Sequence, residues 1–531
     1  MIDRKRLLAD LDHFARAAPK RLAGSPDEER AFAYAREQLE AAGWDVWSET
    51  FTTLRSRVHA TTVLLEDGGP LSAMGIGYAT KRGAGRWLDL VDVGDGGWDS
   101  YEGVDAGGKA VLVSSDGPSV PDKSFIAQRR GAVALILISP ASPVPTLALR
   151  AQKGVWGPPQ PEDLIDLPDV TAVSVLHRDG QGLRDRLRAH NRVRVRLEGA
   201  ADTAWSAMRQ LVARLGPEDS EFLLLHGHVD AWSPGVTDNA TGLAALLETA
   251  RALAAGPALP RAVWLALWSG HEVEEASGSA AFVDRHWNDL RRCALHLNVD
   301  SPGCLDGENV ILYRSLELRS AALGALERLG IPVVRELPLA KESDNSFALA
   351  GVPGIGVVPA GEQRRTEDGV DVGPLWWMHT DQDDLGKVQR DLLARDADAL
   401  LELVRSLGAA PRIHDFHPVR TLLASVLERL GDQGLATLWA KASEVLAHPP
   451  GGAQARRISR LLLGTVGTRG GRLRHDRYGD PLYAYEYPGI AHLLGRAAEE
   501  HALASSRLRE RNHLEDLLYA LASLEALPDG L

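Results

Sequence analysis

The spacing of apolar and polar residues changes along the chain, and each change predicts a domain boundary. Residues 1–74 combine two amphipathic helical patterns with two alternating, strand-like runs. From 75 to 200, Gly- and Pro-rich turns separate short β-like runs such as KAVLV and AVALILIS. Residues 201–411 alternate apolar runs with helical patterns, and strand signals almost stop over 412–531. This order predicts a β-rich unit inserted between two halves of a larger domain, followed by a helical C-terminal domain.

The part from 201 to 411 has the alternation of strands and helices that is typical of a sheet with helices on both faces. Its predicted strands are 223–226, 262–268, 295–299, 310–313 and 355–358, and its predicted helices are 242–254, 277–287, 316–329 and 388–407. The expected fold class is therefore α/β. In such sheets, ligands bind beyond the carboxyl ends of the strands.

Length, charge and cysteine content limit the number of domains, the kinds of partner and the cellular location that we expect. The 531 residues are too many for one compact core, and a net charge of −13 argues against a nucleic-acid partner, which would favour a basic face. No apolar run reaches the roughly 20 residues of a membrane span, and none at the N-terminus has signal-peptide length. Two cysteines, Cys293 and Cys304, are too few for a disulfide framework. We therefore expect a cytoplasmic protein without a membrane partner.

Five potential metal ligands lie at the ends of apolar runs or in the adjoining loops. They are His228, Asp238, Glu272, Asp300 and His379. A hydrolytic site with two cations needs a bridging carboxylate, further oxygen and imidazole ligands, and an open position for water. Asp238, in a loop with Gly and Asn before a helix, suits the bridge. We expect His228 and Asp300 to complete one metal site, and Glu272 and His379 to complete the other.

Asp230 lies two residues after His228 and is well placed as a carboxylate that orients the imidazole. The mixed set of imidazoles and carboxylates favours two Zn²⁺ ions, with cobalt and manganese as alternatives. Each residue alone has a common structural explanation, such as a helix N-cap for an Asp before a helix. Five suitable residues in succession at strand ends are what favours a metal site.

Several segments resemble the co-catalytic zinc exopeptidases, which include bacterial and vacuolar aminopeptidases and the glutamate carboxypeptidase II and transferrin receptor branch. These segments are HGHVDAW, GVTDNATG, LALWSGHE, LNVDSPG, SDNSFALAGVPGIGV and HTDQDDLGKV. The inserted unit resembles a protease-associated domain, and the C-terminal helices resemble a dimerisation domain. The resemblance implies a zinc-aminopeptidase-like mixed sheet flanked by helices, and a homodimer through the C-terminal helices. It also implies hydrolysis of peptide bonds through a water between two metal ions, by an aminopeptidase more than a carboxypeptidase.

The resemblance breaks at the general base. The family places two adjacent glutamates after the third strand, the first as base and the second as ligand. Counting from the strand end puts His271 at the base position and Glu272 at the ligand position. Because the loop is one residue longer than in the family, Glu272, Glu274 and Glu275 remain alternatives for the base. Histidine can act as a general base near neutral pH.

Two other functions stay open beside that of an exopeptidase. One is a non-catalytic binding or scaffold protein with a degenerate site. The other is an amidohydrolase or cyclotransferase-like enzyme that acts on small amides. Arg364 and Arg365 could clamp a substrate carboxylate, as a carboxypeptidase requires, although solvated loop charges are the simpler explanation. By resemblance, Asp344 is expected either to face the same cleft or to cap the short helix that follows it.

Overall fold

The computed structural model describes residues 1–189, 192–232, 234–339, 344–365, 371–448, 452–463 and 504–524. The predicted C-terminal loop with its YEYPGI segment, and the parts of the predicted 489–527 helix before 504 and after 524, lie outside these residues. In chain order the strands are β1 (Asp45–Val58), β2 (Ala60–Leu65), β3 (Leu71–Gly75), β4 (Leu88–Asp92), β5 (Ala110–Val113), β6 (Ala134–Ile138), β7 (Thr171–Val175), β8 (Arg194–Leu197), β9 (Ala201–Leu215), β10 (Phe222–His228), β11 (Ala262–Trp268), β12 (Cys293–Val299), β13 (Val310–Arg314), β14 (Val333–Pro338), β15 (Gly354–Pro359), β16 (Arg364–Arg365) and β17 (Asp371–Val372). The helices are α1 (Arg4–Ala17), α2 (Pro26–Ala41), α3 (Val120–Arg129), α4 (His177–Ala189), α5 (Thr241–Ala254), α6 (Ser277–Arg285), α7 (Arg319–Arg328), α8 (Arg390–Ala409), α9 (His417–Leu430), α10 (Gln433–Ala447), α11 (Gly452–Leu463) and α12 (Ala504–Ala522).

Eight strands form one mixed sheet in the order β1-β9-β11-β10-β12-β15-β13-β14. The central strands β11, β10, β12 and β15 are parallel, and antiparallel pairs flank them on both sides. Every residue of β10 is buried, because neighbouring strands and helices cover it, which explains why FLLLHGH shows no alternation. The predicted α/β fold class with a mixed sheet is confirmed.

Helices cover both faces of this sheet. On one face, α1, α5 and α8 pack together over the aliphatic side chains of the central strands. On the other face, Phe282 of α6 and Phe347 pack against Trp268. These helices cover the two faces of the sheet but not the edge formed by the carboxyl ends of its parallel strands. The loops that follow the strands converge at this edge.

The inserted unit is a closed barrel of seven strands in the order β2-β3-β7-β6-β5-β4-β8. It includes β2 and β3, so the predicted boundary at residue 75 needs correction to about residue 60. The run that forms β2 was recognised as a strand, but its pairing with the distant β8 depends on the tertiary fold and leaves no local signal. Its identity as a protease-associated domain remains a prediction.

Strand β9 was missed by the sequence analysis. It pairs with β1 along the whole length of both strands, but most of its first half is exposed. An exposed two-stranded ribbon has no buried face, so its sequence lacks the apolar alternation by which strands are recognised.

The C-terminal helices have a hydrophobic core of their own. Apolar residues of α9, α10, α11 and α12 pack together, among them Leu423, Leu435, Ile458 and Leu518. The helical character predicted for 418–466 agrees with α9, α10 and α11 as far as residue 463. Among the described residues, no helix combines the length and apolar character that crossing a membrane requires.

Candidate metal centre

The candidate ligands meet at the carboxyl edge of the central parallel strands. His228 is the last residue of β10, and Asp300 follows directly after the neighbouring β12. Glu272 lies in the loop after β11, and His379 lies in the loop before α8. Asp238 lies in the turn Val236–Ala240 just before α5, at a residue with non-helical backbone angles. Residues far apart in the chain converge here because parallel strands end at one edge of the sheet.

The Asp238 carboxylate lies between two histidines. Its Oδ1 is 3.2 Å from His228 Nε2, and its Oδ2 is 3.1 Å from His379 Nε2. Asp300 Oδ2 lies 3.6 Å from the same His228 nitrogen, and Glu272 Oε2 lies 3.2 Å from the same His379 nitrogen. The structure therefore brings the five residues together in two sets that share Asp238.

The donor atoms of this cluster fit divalent cations. His228 Nε2, Asp238 Oδ1 and Glu272 Oε2 are buried and make no hydrogen bond of good geometry within the described part of the chain, although each lies 3.2 Å from another member of the cluster. Buried polar atoms without partners are rare and need an explanation, such as a bound ion. Imidazole nitrogens with carboxylate oxygens are the donors that zinc and related cations prefer. The ligand atoms of these three residues also lie within 4.8 Å of one another.

Asp383, which the sequence analysis did not single out, holds the Asp238 turn in place. Its Oδ1 accepts hydrogen bonds from Thr237 N–H at 2.8 Å and Thr237 Oγ1 at 2.7 Å, and its Oδ2 accepts one from Asp238 N–H at 3.0 Å. Gly235 permits the turn, because its φ is 55° and a Cβ there would lie 2.6 Å from the Asp238 carbonyl oxygen. The sequence signal for Asp383 was its place in HTDQDD, four residues after His379.

Changing Asp383 to asparagine is expected to weaken metal binding by about 10- to 100-fold, the usual effect of losing a residue that supports a ligand. Asparagine has the same shape as aspartate. Its NH₂ group, however, would face one of the N–H or O–H groups that now donate hydrogen bonds to the Asp383 carboxylate. The metal affinity of the apoprotein, measured by titration calorimetry, checks this. Asp381→Asn, at an exposed position of the same loop, is the matched control, and equal affinities in the two variants would contradict the role of Asp383.

The Asp230 carboxylate does not orient His228, which corrects the sequence prediction. His228 Nδ1 instead lies 2.8 Å from the backbone carbonyl oxygen of Asp230. The carboxylate accepts the N–H of His271 at 3.1 and 3.0 Å and the N–H of Glu272 at 3.0 Å. These amides begin a loop that leaves the sheet, so they need an acceptor other than a neighbouring strand. Asp230 thus supports the loop after β11.

His271, which the count from the strand end assigns to the base position, lies beside the cluster. Its ring stacks on His228 with centroids 3.9 Å apart and an interplanar angle of 17°. Its Nδ1 lies 3.3 Å from Oδ2 of the buried Asp344. Burial and the His228 charge lower the pKa of His271, but the Asp344 and Glu272 carboxylates outweigh them and raise it to about 9. This arrangement favours the count from the strand end, with Glu272 beside His379.

The other candidates for the base differ: the Glu274 carboxylate is bound outside the ligand cluster, whereas the charges of His271, His379 and Glu272 act on the Glu275 carboxylate. The Glu274 carboxylate accepts the N–H of Ser56 at 3.1 Å, and the Glu275 carbonyl accepts the N–H of Gly157 at 2.9 Å. Burial raises the pKa of Glu274 to about 8. Burial also raises the pKa of Glu275 to about 7, against the opposing charge of Lys153.

The remaining candidates from the sequence have other partners. Arg364 pairs with Asp306, and Arg365 lies 3.6 Å from Asp371, so both arginines face loop carboxylates. The residue before the short helix that starts at 346 is Asn345, so Asp344 is not its N-cap. The Asp344 carboxylate instead lies beside the His271 ring, with its Oδ2 3.3 Å from Nδ1.

Comparison with known proteins finds similarity to metal-dependent peptidases in both sequence and fold. Residues 210–404 match the model of peptidase family M28. The chain is 26% identical over 390 residues to the probable lipoprotein aminopeptidase LpqL of Mycobacterium tuberculosis, covering 68% of this chain and 73% of that protein.

Two solved structures share the fold. An aminopeptidase from Aneurinibacillus sp. strain AM-1 superposes with a TM-score of 0.60 at 21% identity, over 78% of this chain and 95% of that one. The zinc aminopeptidase BSAP from Bacillus subtilis superposes with a TM-score of 0.60 at 18% identity, over 77% and 96%.

Proposed function

We propose that the protein is an aminopeptidase of the M28 type with two divalent metal ions, most simply Zn²⁺, because residues 210–404 match the model of peptidase family M28. One observation carries the proposal: the Asp238 carboxylate lies between His228 and His379, with an oxygen directed at each. One set of ligands is His228, Asp238 and Asp300, and the other is His379, Asp238 and Glu272.

The cations, when bound, would polarise the scissile carbonyl, lower the pKa of the attacking water and, by charge repulsion, lower the pKa of His271. His271 Nδ1 faces Asp344, which leaves Nε2 to accept the proton of the water. The same imidazolium can then protonate the leaving amine. Asp344 orients the ring and stabilises its charged form, and the Asp230 carboxylate fixes the backbone that carries it.

Charge at the site favours a substrate with a free amino group. The buried carboxylates of Asp230 and Asp344 lie beside the cluster, whereas Arg364 and Arg365, the candidates for binding a substrate carboxylate, face Asp306 and Asp371. The aminopeptidase names of the relatives agree with this choice. Peptides or small amides with a free α-amino group are the proposed substrates.

Removing the metal is expected to abolish hydrolysis without unfolding the protein. The purified protein should hold two metal equivalents, and a chelator followed by Zn²⁺ should remove and restore cleavage of aminoacyl peptides. N-acetylated forms of the same peptides should resist cleavage, because they lack the amine. A metal-free protein that is stable in chelator and cleaves nothing would point to the scaffold function, and cleavage of small amides alone would point to an amidohydrolase.

Two further expectations accompany the proposal. A homodimer through the C-terminal helices can be tested by light scattering of the full chain beside a variant with charges placed on an exposed helix face. We also propose that the protein is located in the cytoplasm. Fractionation of the source cells tests this location.

A further inference from the structure

The loop that follows β11 adopts an unusual backbone conformation. Glu275 and Ala276 are consecutive residues with positive φ, 46° and 57°, and neither is glycine. Such residues are strained and persist only where surrounding contacts hold them. This loop carries His271 and Glu272, so its conformation determines where both side chains lie.

The contacts that hold this loop come from the inserted barrel. Between β6 and β7, the crossover 139–170 leaves the barrel and lies against the larger domain. Its Gly157 N–H donates to the Glu275 carbonyl at 2.9 Å, and its Leu149 N–H donates to the His379 carbonyl at 2.9 Å. Its Trp156 Nε1 donates to Ser346 Oγ at 2.9 Å. The crossover therefore contacts three segments that surround the metal cluster.

Lys153 is the centre of these contacts. Its side chain is fully buried, and its Nζ donates to the Glu274 carbonyl at 2.6 Å and to the Gly157 carbonyl at 2.5 Å. Burial lowers the pKa of Lys153 to about 8, while the Glu275 and Glu274 carboxylates oppose that change. The buried ammonium of Lys153 thus bridges a carbonyl of the crossover and the carbonyl of Glu274. Glu274 directly precedes the two residues with positive φ.

We propose that Lys153 is a positioning residue for the loop 270–277, which makes the barrel crossover a fixed wall of the active site rather than a separate lid. The effect of Lys153 on catalysis rests on the proposed function. Its effect on the conformation of the loop does not. The active site is then complete only when the inserted unit is docked.

Lys123 offers a matched control within the same barrel. It is also a fully buried lysine, and its Nζ donates to the carbonyls of Asp116 and Pro118. Burial lowers its pKa to about 8 as well. Its contacts stay inside the inserted unit, so Lys123→Met reproduces the loss of a buried lysine without touching the loop.

Hydrogen–deuterium exchange of the metal-free full-length protein tests the proposal. Lys153→Met is expected to raise exchange over 270–277 by about tenfold or more through local opening, whereas Lys123→Met should leave that segment unchanged. Zn²⁺ titration should show about 10- to 100-fold weaker binding for Lys153→Met alone. Equal exchange over 270–277 in the two variants would overturn the proposal.

A second variant guards against misfolding of Lys153→Met. Trp156→Phe removes one hydrogen bond from the crossover and keeps the aromatic packing, so it should raise exchange over Ser346–Ala350 and, more weakly, over 270–277. Unchanged exchange in both segments would reject the fixed wall. Because exchange needs neither metal nor substrate, failure of the peptidase proposal and failure of this one remain distinguishable.

Discussion

Replacing Asp238 by asparagine is expected to abolish hydrolysis and to leave no more than one metal ion per chain. The carboxylate directs one oxygen at His228 and the other at His379, and an amide offers one neutral oxygen in place of two that share a negative charge. Loss of the shared ligand removes several kcal/mol of charge stabilisation from the transition state. A fall in kcat/KM of about 10³-fold or more follows, since each 1.36 kcal/mol is worth tenfold.

Metal content by atomic absorption and kcat/KM on an aminoacyl peptide should therefore fall together. Asp384→Asn is the matched control: Asp384 is exposed and its Oδ1 caps Gly386 N–H, which asparagine can also do. That variant should keep both metals and the full rate. If Asp238→Asn retains two metals and measurable activity, Asp238 is not the bridge, and the proposed pairing of ligands is wrong.

The position of the site could be predicted because it depends on where strands end. Unbroken apolar runs identified β10, β11 and β12, and each was followed by a candidate ligand. In a parallel sheet these ends lie side by side, so local patterns were enough to bring His228, Glu272 and Asp300 together. The similarity to co-catalytic zinc exopeptidases rested on these same segments, and it is confirmed.

The supporting residues could not be predicted, because their roles depend on contacts between distant segments. Lys153 and Asp383 each act on backbone groups of another loop, which leaves no periodicity in their own sequence. Asp230 illustrates the same limit. Its spacing from His228 suggested an imidazole partner, but its carboxylate accepts hydrogen bonds from two backbone amides of the loop after β11. The exposed strand β9 and the membership of β2 in the barrel were likewise decided by tertiary pairing.

Replacing His271 by alanine is expected to lower kcat by about 10²- to 10⁴-fold, the range attributed to a general base, while two metal ions remain bound. The prediction follows from geometry: Asp344 Oδ2 lies 3.3 Å from His271 Nδ1, and the ring stacks on His228 at the edge of the ligand cluster. His271→Gln keeps the polarity but cannot accept a proton near neutral pH, so it should lose as much activity. KM should change little in both, because the proton transfer occurs only in the transition state.

Metal content separates this role from that of a ligand. His271 lies within ligand distance of His228 and Asp300, so loss of a metal ion from His271→Ala would assign it to the metal instead. Asp344→Asn should lower kcat by a smaller factor, about tenfold, since it weakens the orientation of the ring but keeps the base. The exposed His59, paired with Asp202, gives the control His59→Ala with unchanged kinetics. If His271→Ala keeps the full rate while Glu275→Ala is inactive, the base is Glu275, whose backbone carbonyl accepts the Gly157 N–H.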